Sequence, residues 1–291
     1  MKRLAHQLLE RVLMAVNAIW NYLQTTRQIS LSQQTQQLLA MQYKNNSAAP
    51  LPFSEVGFSC FSQFDEDGIL HYIFSRIGTT NKVVVEMCAG NGLECNAANL
   101  IINHGWIGYL FDGDQHNVAI GRRFFARHRL TRQWPPAFNQ AWINAENVNG
   151  LLQEAQVPAG EIDLLSLDID GMDYWVFKAI EWIRPRVIVA ETLSCAGPDR
   201  SITCPYDPNF VCSVPDYQGA SLLAMTRLAQ QKGYRLVGTH QYGFNAFFVR
   251  NDIGTAILPE VKVADCFSHP YAQDAIRNRW PKVKDQRWQE V

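Results

Sequence analysis

Two apolar runs of this chain end in carboxylates. Leu164-Leu-Ser-Leu-Asp168-Ile-Asp170-Gly171 carries two acids two positions apart, and Val187-Ile-Val-Ala-Glu191 adds a third. In extended chain Asp168 and Asp170 share a face. An acid that closes a parallel strand lies where open α/β sheets bind their ligands. Carboxylates this close repel, so one should hold its proton unless a cation sits between them. Oxygen donors at such spacing suit Mg²⁺ or a similar hard ion, which makes Asp168, Asp170 and Glu191 the candidate metal ligands. A plainer reading of Asp170-Gly-Met-Asp173 is a turn, with Asp173 capping the helix that follows. Asp168 is also a candidate catalytic group. His240, at the tip between the last two apolar runs, is the expected general base, because imidazole titrates near neutral pH.

A second constellation is Val83-Val-Val-Glu86-Met-Cys-Ala-Gly90-Asn-Gly92, followed by Asp112 about twenty residues on. A β-branched run, a glycine turn, a helix and a second strand ending in an acid form a nucleotide-type βαβ unit. Gly90 and Gly92 allow close backbone approach, and Asp112 is placed for ribose hydroxyls. A dinucleotide fingerprint wants a third glycine, for close helix–strand packing, where this chain has Cys95. That substitution, with Glu86 closing the first strand, fits S-adenosylmethionine better than a pyrophosphate.

The elements that must position these groups alternate. Strands are predicted at 83–87, 107–111, 138–143, 162–167 and 186–190, and helices at 95–103, 116–127, 147–155, 173–182 and 219–231, which argues for a parallel sheet with crossover helices. The end differs. Tyr234–Thr239 and Asn245–Arg250 are joined by five residues, too few for a helix, so they must pair antiparallel. Five βα units closed by a hairpin give an α/β fold with a class I methyltransferase-like parallel sheet and a C-terminal antiparallel hairpin. A helix is also predicted from Ser62, as N-cap, to Phe74. Leu193 to Tyr217, rich in proline and poor in periodicity, reads as a lid or acceptor-recognition loop, or equally as a packed Ω-loop.

Ahead of the sheet, residues 1–60 read as an N-terminal helical extension and linker, and 61–291 as the sheet domain. Leu4, Leu8, Leu9, Val12, Val16, Ile19 and Leu23 recur at helical spacing. Glu10 and Arg11 interrupt the apolar run, which argues against a cleaved signal or a membrane span. The pattern favours packing on the chain's own domain or on a second copy over peripheral membrane contact. A glutamine-rich helix follows from Ser32 to Tyr43, then a linker at Ala48–Pro52. The net charge of −1 gives no general attraction to nucleic acid, and none is expected as partner. Seven cysteines without a CxxC pair predict neither a disulfide framework nor a zinc site, but a reducing, cytoplasmic setting.

Taken in order, Ser62-Gln63-Phe-Asp-Glu-Asp67-Gly, Glu86-Met-Cys-Ala-Gly90-Asn-Gly92, Leu110-Phe-Asp112-Gly-Asp114, Leu165-Ser-Leu-Asp168-Ile-Asp170-Gly171 and Gly243-Phe-Asn-Ala-Phe-Phe-Val249 resemble the FkbM-type branch of S-adenosylmethionine-dependent methyltransferases. The resemblance runs from about Ser62 to Arg250. It implies methyl transfer to oxygen, often on sugars or secondary metabolites, with Glu86, Gly90, Gly92 and Asp112 holding the cofactor and Gln63 beside them. Trp142 and Asn144 stand where such enzymes contact the adenine, although Trp142 fits a core position and Asn144 a helix cap equally well. The chain departs from the branch where Lys-Ile-Asp-Val-Glu-Gly is common, and Cys88 and Ala89 replace frequent glycines. The expected acceptor is a small molecule or glycan. A metal on Asp168 and Glu191, with or without Asp170, would lower the pKa of one acceptor hydroxyl, and His240 would take its proton. An NAD-dependent oxidoreductase and a non-catalytic scaffold remain the competing readings.

Overall fold

The computed structural model describes residues 31–45 and 49–291. These fall into two compact units that divide between Asn46 and Ser47. In the first, α1 covers 31–45 and contains the expected Ser32–Tyr43 helix. The amphipathic pattern at Leu4–Leu23 lies outside the described residues.

The second unit begins earlier than residue 61. Helix α2 (Phe53–Val56) sets Phe53 edge-on against Phe247, with ring centroids 5.5 Å apart. The Leu51 N–H donates to the Tyr72 hydroxyl at 2.9 Å. Helix α3 spans Glu66–Ile77 with Asp65 at its N-cap, three residues later than a Ser62 cap implies. Asp67 is the reason. Its Oδ2 accepts the N–H groups of Cys60, Phe61 and Ser62, which winds that stretch into a turn instead of a helix.

The βα alternation then runs β1 (Val83–Met87), α4 (Ala98–His104), β2 (Ile107–Asp112), α5 (Gln115–Arg127), β3 (Ala137–Gln140), α6 (Val148–Glu154), β4 (Gly160–Leu167), α7 (Asp173–Ala179), β5 (Ile183–Glu191), β6 (Ile202–Thr203), α8 (Leu222–Gln231), β7 (Tyr234–Thr239) and β8 (Asn245–Arg250). Among the described residues the main sheet has seven strands in the order β3-β2-β1-β4-β5-β8-β7. The first five are parallel, while β8 pairs antiparallel with both β5 and β7. This is the class I methyltransferase-like sheet that the hairpin argument predicts. β1 is buried along its whole length, because helices cover both faces of a parallel sheet. Val83, Val85 and Met87 share one apolar cluster with Leu152, Phe177 and Leu228. β6 pairs outside this sheet with β9 (Gln289–Glu290). No helix among the described residues is long and apolar enough to cross a membrane.

Candidate functional site

The parallel strands end along one edge, and a cleft of about 920 Å³ opens there, lined in part by Gln63, Gly90, Asp112, Trp142, Asp168 and Glu191. Gly90 has φ 56°, and a Cβ added to it would meet no protein atom within 4 Å, so bare backbone faces the cleft. Asp112 closes β2. Its Oδ1 accepts from the Asp114 N–H at 2.9 Å and the Asn117 amide at 3.4 Å. No donor among the described residues reaches its Oδ2. β3 stops at Gln140, short of the predicted 143, and the chain turns so that Trp142 leaves the core. Trp142 stands half-exposed as a cleft wall, donating from Nε1 to the Pro208 carbonyl at 2.8 Å. That bond draws Pro208, Phe210 and Val211 of the loop after β6 to the cleft's margin.

Three of the expected cofactor residues have partners within the protein. Glu86 is buried, and its carboxylate accepts the Asn96 and Ala97 N–H groups at 2.9 and 2.6 Å and the Ser166 hydroxyl at 3.2 Å. It therefore fastens the chain entering α4 to β1 and β4, away from the cleft lining. Gly92 packs on Phe125 and Phe138, where a Cβ would come within 2.9 and 3.0 Å of their rings. Asn144 exchanges two hydrogen bonds of 2.9 Å with Asn147, the turn-capping alternative.

The acids at the strand ends do converge. One carboxylate oxygen each from Asp168, Asp170 and Glu191 lie within 4.8 Å of one another. Asp170 takes φ 52°, a left-handed conformation that suits a short polar side chain and aims it back toward Asp168. Asp173, at the start of α7, accepts the Ile169 and Gly171 N–H groups and holds the turn closed. Burial, then the charges of Asp173 and Asp170, push the Asp168 carboxyl up to about 7. Burial and the facing Asp168 push Glu191 well above the usual carboxylate range. Asp168 and Glu191 therefore titrate as one interacting pair, both carboxyls held above the usual range. Five carboxylates (Asp112, Asp114, Asp168, Asp170 and Glu191) line the cleft, and none of its described lining residues is Lys, Arg or His.

His240, the expected base, lies buried outside this cleft. It is 1 % exposed, under Phe64 and Phe244 with ring centroids 5.6 and 4.2 Å away. Its Nδ1 accepts the Asn245 N–H at 3.0 Å. Burial pulls its pKa down to about 4. The ring lines neither this cleft nor the one beside it. A second cleft, of about 390 Å³, adjoins the first at the two residues they share, Gln63 and Glu191. Part of its wall is Tyr271 and Arg279, in a segment without strand or helix periodicity strong enough to single it out.

No family model matches the chain, and no curated protein matches it. Solved structures similar to it include the N-terminal domain of EvdMO1 with SAH bound, at TM-score 0.42 and 13 % identity over 73 % of this chain and 94 % of that one. The glycopeptide N-methyltransferase MtfA complexed with S-adenosyl-L-methionine gives TM-score 0.40 and 10 % identity over 63 % and 92 %. Magnesium protoporphyrin IX methyltransferase (ChlM) from Synechocystis PCC 6803 with bound SAM gives 0.38 and 11 % over 64 % and 77 %.

Proposed function

We propose that the chain is an S-adenosylmethionine-dependent methyltransferase of FkbM type that carries its cofactor in the larger cleft and methylates an oxygen of a hydroxylated small molecule or glycan. The observation that supports this most is the use of the helix entry after β1. A dinucleotide sets its pyrophosphate on the N–H groups there. In this chain Glu86 already accepts the Asn96 and Ala97 N–H groups. A pyrophosphate would also face five carboxylates and no cation. A sulfonium gains from the same field. Asp112 Oδ2 is free to accept from ribose hydroxyls, bare backbone at Gly90 allows close approach, and Trp142 offers a ring face for the adenine. Gln63 lies where the two clefts meet.

S-adenosylmethionine supplies a methyl group already activated on positively charged sulfur. The chain must align an acceptor oxygen with that group and remove its proton. With His240 buried, that duty falls to Asp168, whose carboxyl is tuned near neutrality by burial and by Asp173 and Asp170. Glu191 stands against it with its own carboxyl raised by burial and by Asp168, which disfavours two negative charges on the pair. A second version has a divalent cation among Asp168, Asp170 and Glu191, whose oxygens lie close enough to share one ion. Such an ion would supply Lewis acidity to an acceptor hydroxyl.

Calorimetry with S-adenosylmethionine and, separately, NAD⁺ tests the reading. Micromolar binding of the first, weakened roughly tenfold or more in Asp112→Ala as charge-assisted hydrogen bonds are lost, is the expected result. Binding of NAD⁺ alone would revive the oxidoreductase, and binding of neither would favour a scaffold. Full activity in chelator, unchanged by added Mg²⁺, would remove the metal version.

A further inference from the structure

The second cleft adjoins the cofactor cleft and opens from the same acids. Glu191 belongs to both clefts, and Asp168 stands against it. The remaining wall comes from the loop after β5, from Phe244 at the hairpin, and from the C-terminal segment through Tyr271 and Arg279. We propose that this cleft is the acceptor site, that it takes an uncharged, hydroxyl-bearing ring, and that Tyr271 with the Arg279–Asp216 pair makes that selection. The proposal rests on the methyl-transfer reading above.

Charge is the first argument. Arg279 is the one cation among the described residues lining this cleft. Its Nε donates to Asp216 Oδ1 at 2.8 Å, its Nη2 donates to the same oxygen, and its Nη1 donates to the Tyr271 hydroxyl at 2.6 Å. A phosphate or carboxylate entering here would find that guanidinium neutralised and would lie beside Asp216 and the Asp168–Glu191 pair. An ammonium group would have to compete with Arg279 for Asp216. A neutral solute meets neither penalty.

Shape is the second. The Phe244 and Tyr271 rings stand 6.1 Å apart at 59°, and Tyr242 braces Tyr271 from 5.3 Å. They form an apolar corner of ring size. Thr192, Ser194 and Gln218 supply uncharged donors and acceptors around it. An apolar corner edged by neutral hydrogen-bonding groups matches a ring with an apolar face and hydroxyls at its rim.

The wall is also built rather than incidental. Leu193, Cys195, Ala196 and Ile202 from beyond β5 make one small apolar core with Ala275 and Val283 of the C-terminal segment. β6 and β9 pair across the same two segments. Arg279 ends a π-helical turn, Ala275–Arg279, a local distortion that recurs at functional sites. Asp216 meets it from a left-handed backbone with φ 67°.

The test uses full-length protein saturated with S-adenosylhomocysteine and three probes of one ring size: methyl α-glucopyranoside, glucuronate and glucosamine. Saturation-transfer NMR should show the neutral glycoside bound, with each charged probe weaker by about tenfold, the worth of one uncompensated charged contact. Tyr271→Ala should abolish the signal and Tyr271→Phe should keep most of it. Asp216→Asn, in a residue type that tolerates the same backbone, frees Arg279 and should raise glucuronate binding by about tenfold. Calorimetry on every variant should show S-adenosylmethionine affinity unchanged, which establishes that each is folded. A neutral signal that survives Tyr271→Ala, charged probes bound as well as the neutral one, no neutral signal, or no gain of glucuronate in Asp216→Asn would each overturn the proposal. Failure of the methyl-transfer reading registers separately, as absence of S-adenosylmethionine binding in the unmutated chain.

Discussion

Asp168 and Glu191 face each other as an interacting pair whose carboxyls are both raised, so the chemistry of the site depends on pH in a direction that can be stated. The base must be unprotonated to act. With Asp168 pushed up to about 7, the rate in chelator should rise as pH passes through 7 and level off above it. Added Mg²⁺ should move that rise to lower pH if the metal version holds, since a cation favours the carboxylate. Asp168→Asn should lower turnover by roughly 10²–10⁴-fold while leaving S-adenosylmethionine affinity intact. An equal loss of affinity would make Asp168 a cofactor residue instead. His240 has a different pH signature. Its folded-state pKa lies near 4, below the ordinary value of about 6.5. Between those values the unfolded chain binds a proton that the folded chain refuses, so stability falls as pH drops through that window. It is fully present above the upper limit. By pH 5 the loss is ~2 kcal/mol, and urea midpoints at pH 8 and pH 5 should converge in His240→Gln. The converging acids were legible because an acid closing an apolar strand has few other reasons to be there. Glu86 fits that pattern equally, and only the fold shows the Asn96 and Ala97 N–H groups closing on it. A hairpin tip suggests exposure, and nothing local announces that Phe64 and Phe244 cover His240.

At the scale of elements, period and punctuation carried the sheet. The two hairpin strands, Tyr234–Thr239 and Asn245–Arg250, lie where their alternation and short connection put them. Strand ends were less legible where a tertiary hydrogen bond decides them. β3 reads as continuing to Ile143, but the Trp142 side chain is drawn out to the Pro208 carbonyl. That bond, together with the Tyr206 hydroxyl, which accepts the Ala145 N–H at 3.2 Å and donates to the Glu146 carboxylate, joins the turn after β3 to the loop after β6, so the two walls of the cofactor cleft are coupled. Trp142→Phe keeps a ring for the adenine and removes the donor. Cofactor affinity should fall about fivefold, the worth of roughly 1 kcal/mol, with most of the change in the dissociation rate as the loop loosens. A change confined to association would argue that the loop does not close the cleft. Gly171 offers a stricter check on the same loop. Its φ is 153°, and a Cβ there would sit 2.3 Å from the Phe210 ring. Gly171→Ala should therefore displace Phe210 and weaken the cofactor more than Trp142→Phe does, measured side by side by calorimetry.

For the whole molecule, the constraint on the site is that β4 and β5 must deliver their terminal acids in register. Their pairing, Ser166 opposite Val189 and Leu167 opposite Ala190, sets Asp168 beside Glu191. The opposite end of these strands is locked by a buried ion pair. Arg186 Nη1 donates to Asp163 Oδ1 at 2.7 Å, and its other contacts are the carbonyls of Ile77 and Gly78. Asp163 in turn accepts the N–H groups of Thr80, Asn81 and Lys82. One carboxylate thus ties the exit of α3 and the entry of β1 to the two strands that carry the acids. Neither residue stands out in the chain, because an acid inside one strand and an arginine inside the next acquire meaning only when the strands are neighbours. The C-terminal wall is illegible for the same reason, since Tyr271 and Arg279 matter through residues far away in sequence. Breaking a buried pair by removing one partner leaves the other charge stranded, which costs about 3–5 kcal/mol. Asp163→Ala should lower the unfolding free energy by that amount, read as a fall in the urea midpoint equal to the loss divided by the slope, with the slope itself unchanged because the same surface is exposed on unfolding. Asp163→Ala/Arg186→Met should recover part of the loss by removing the stranded cation. If the double variant is no better than the single one, the N–H bonds that Asp163 accepts matter more than its charge, and the carboxylate is a loop anchor before it is an ion-pair partner.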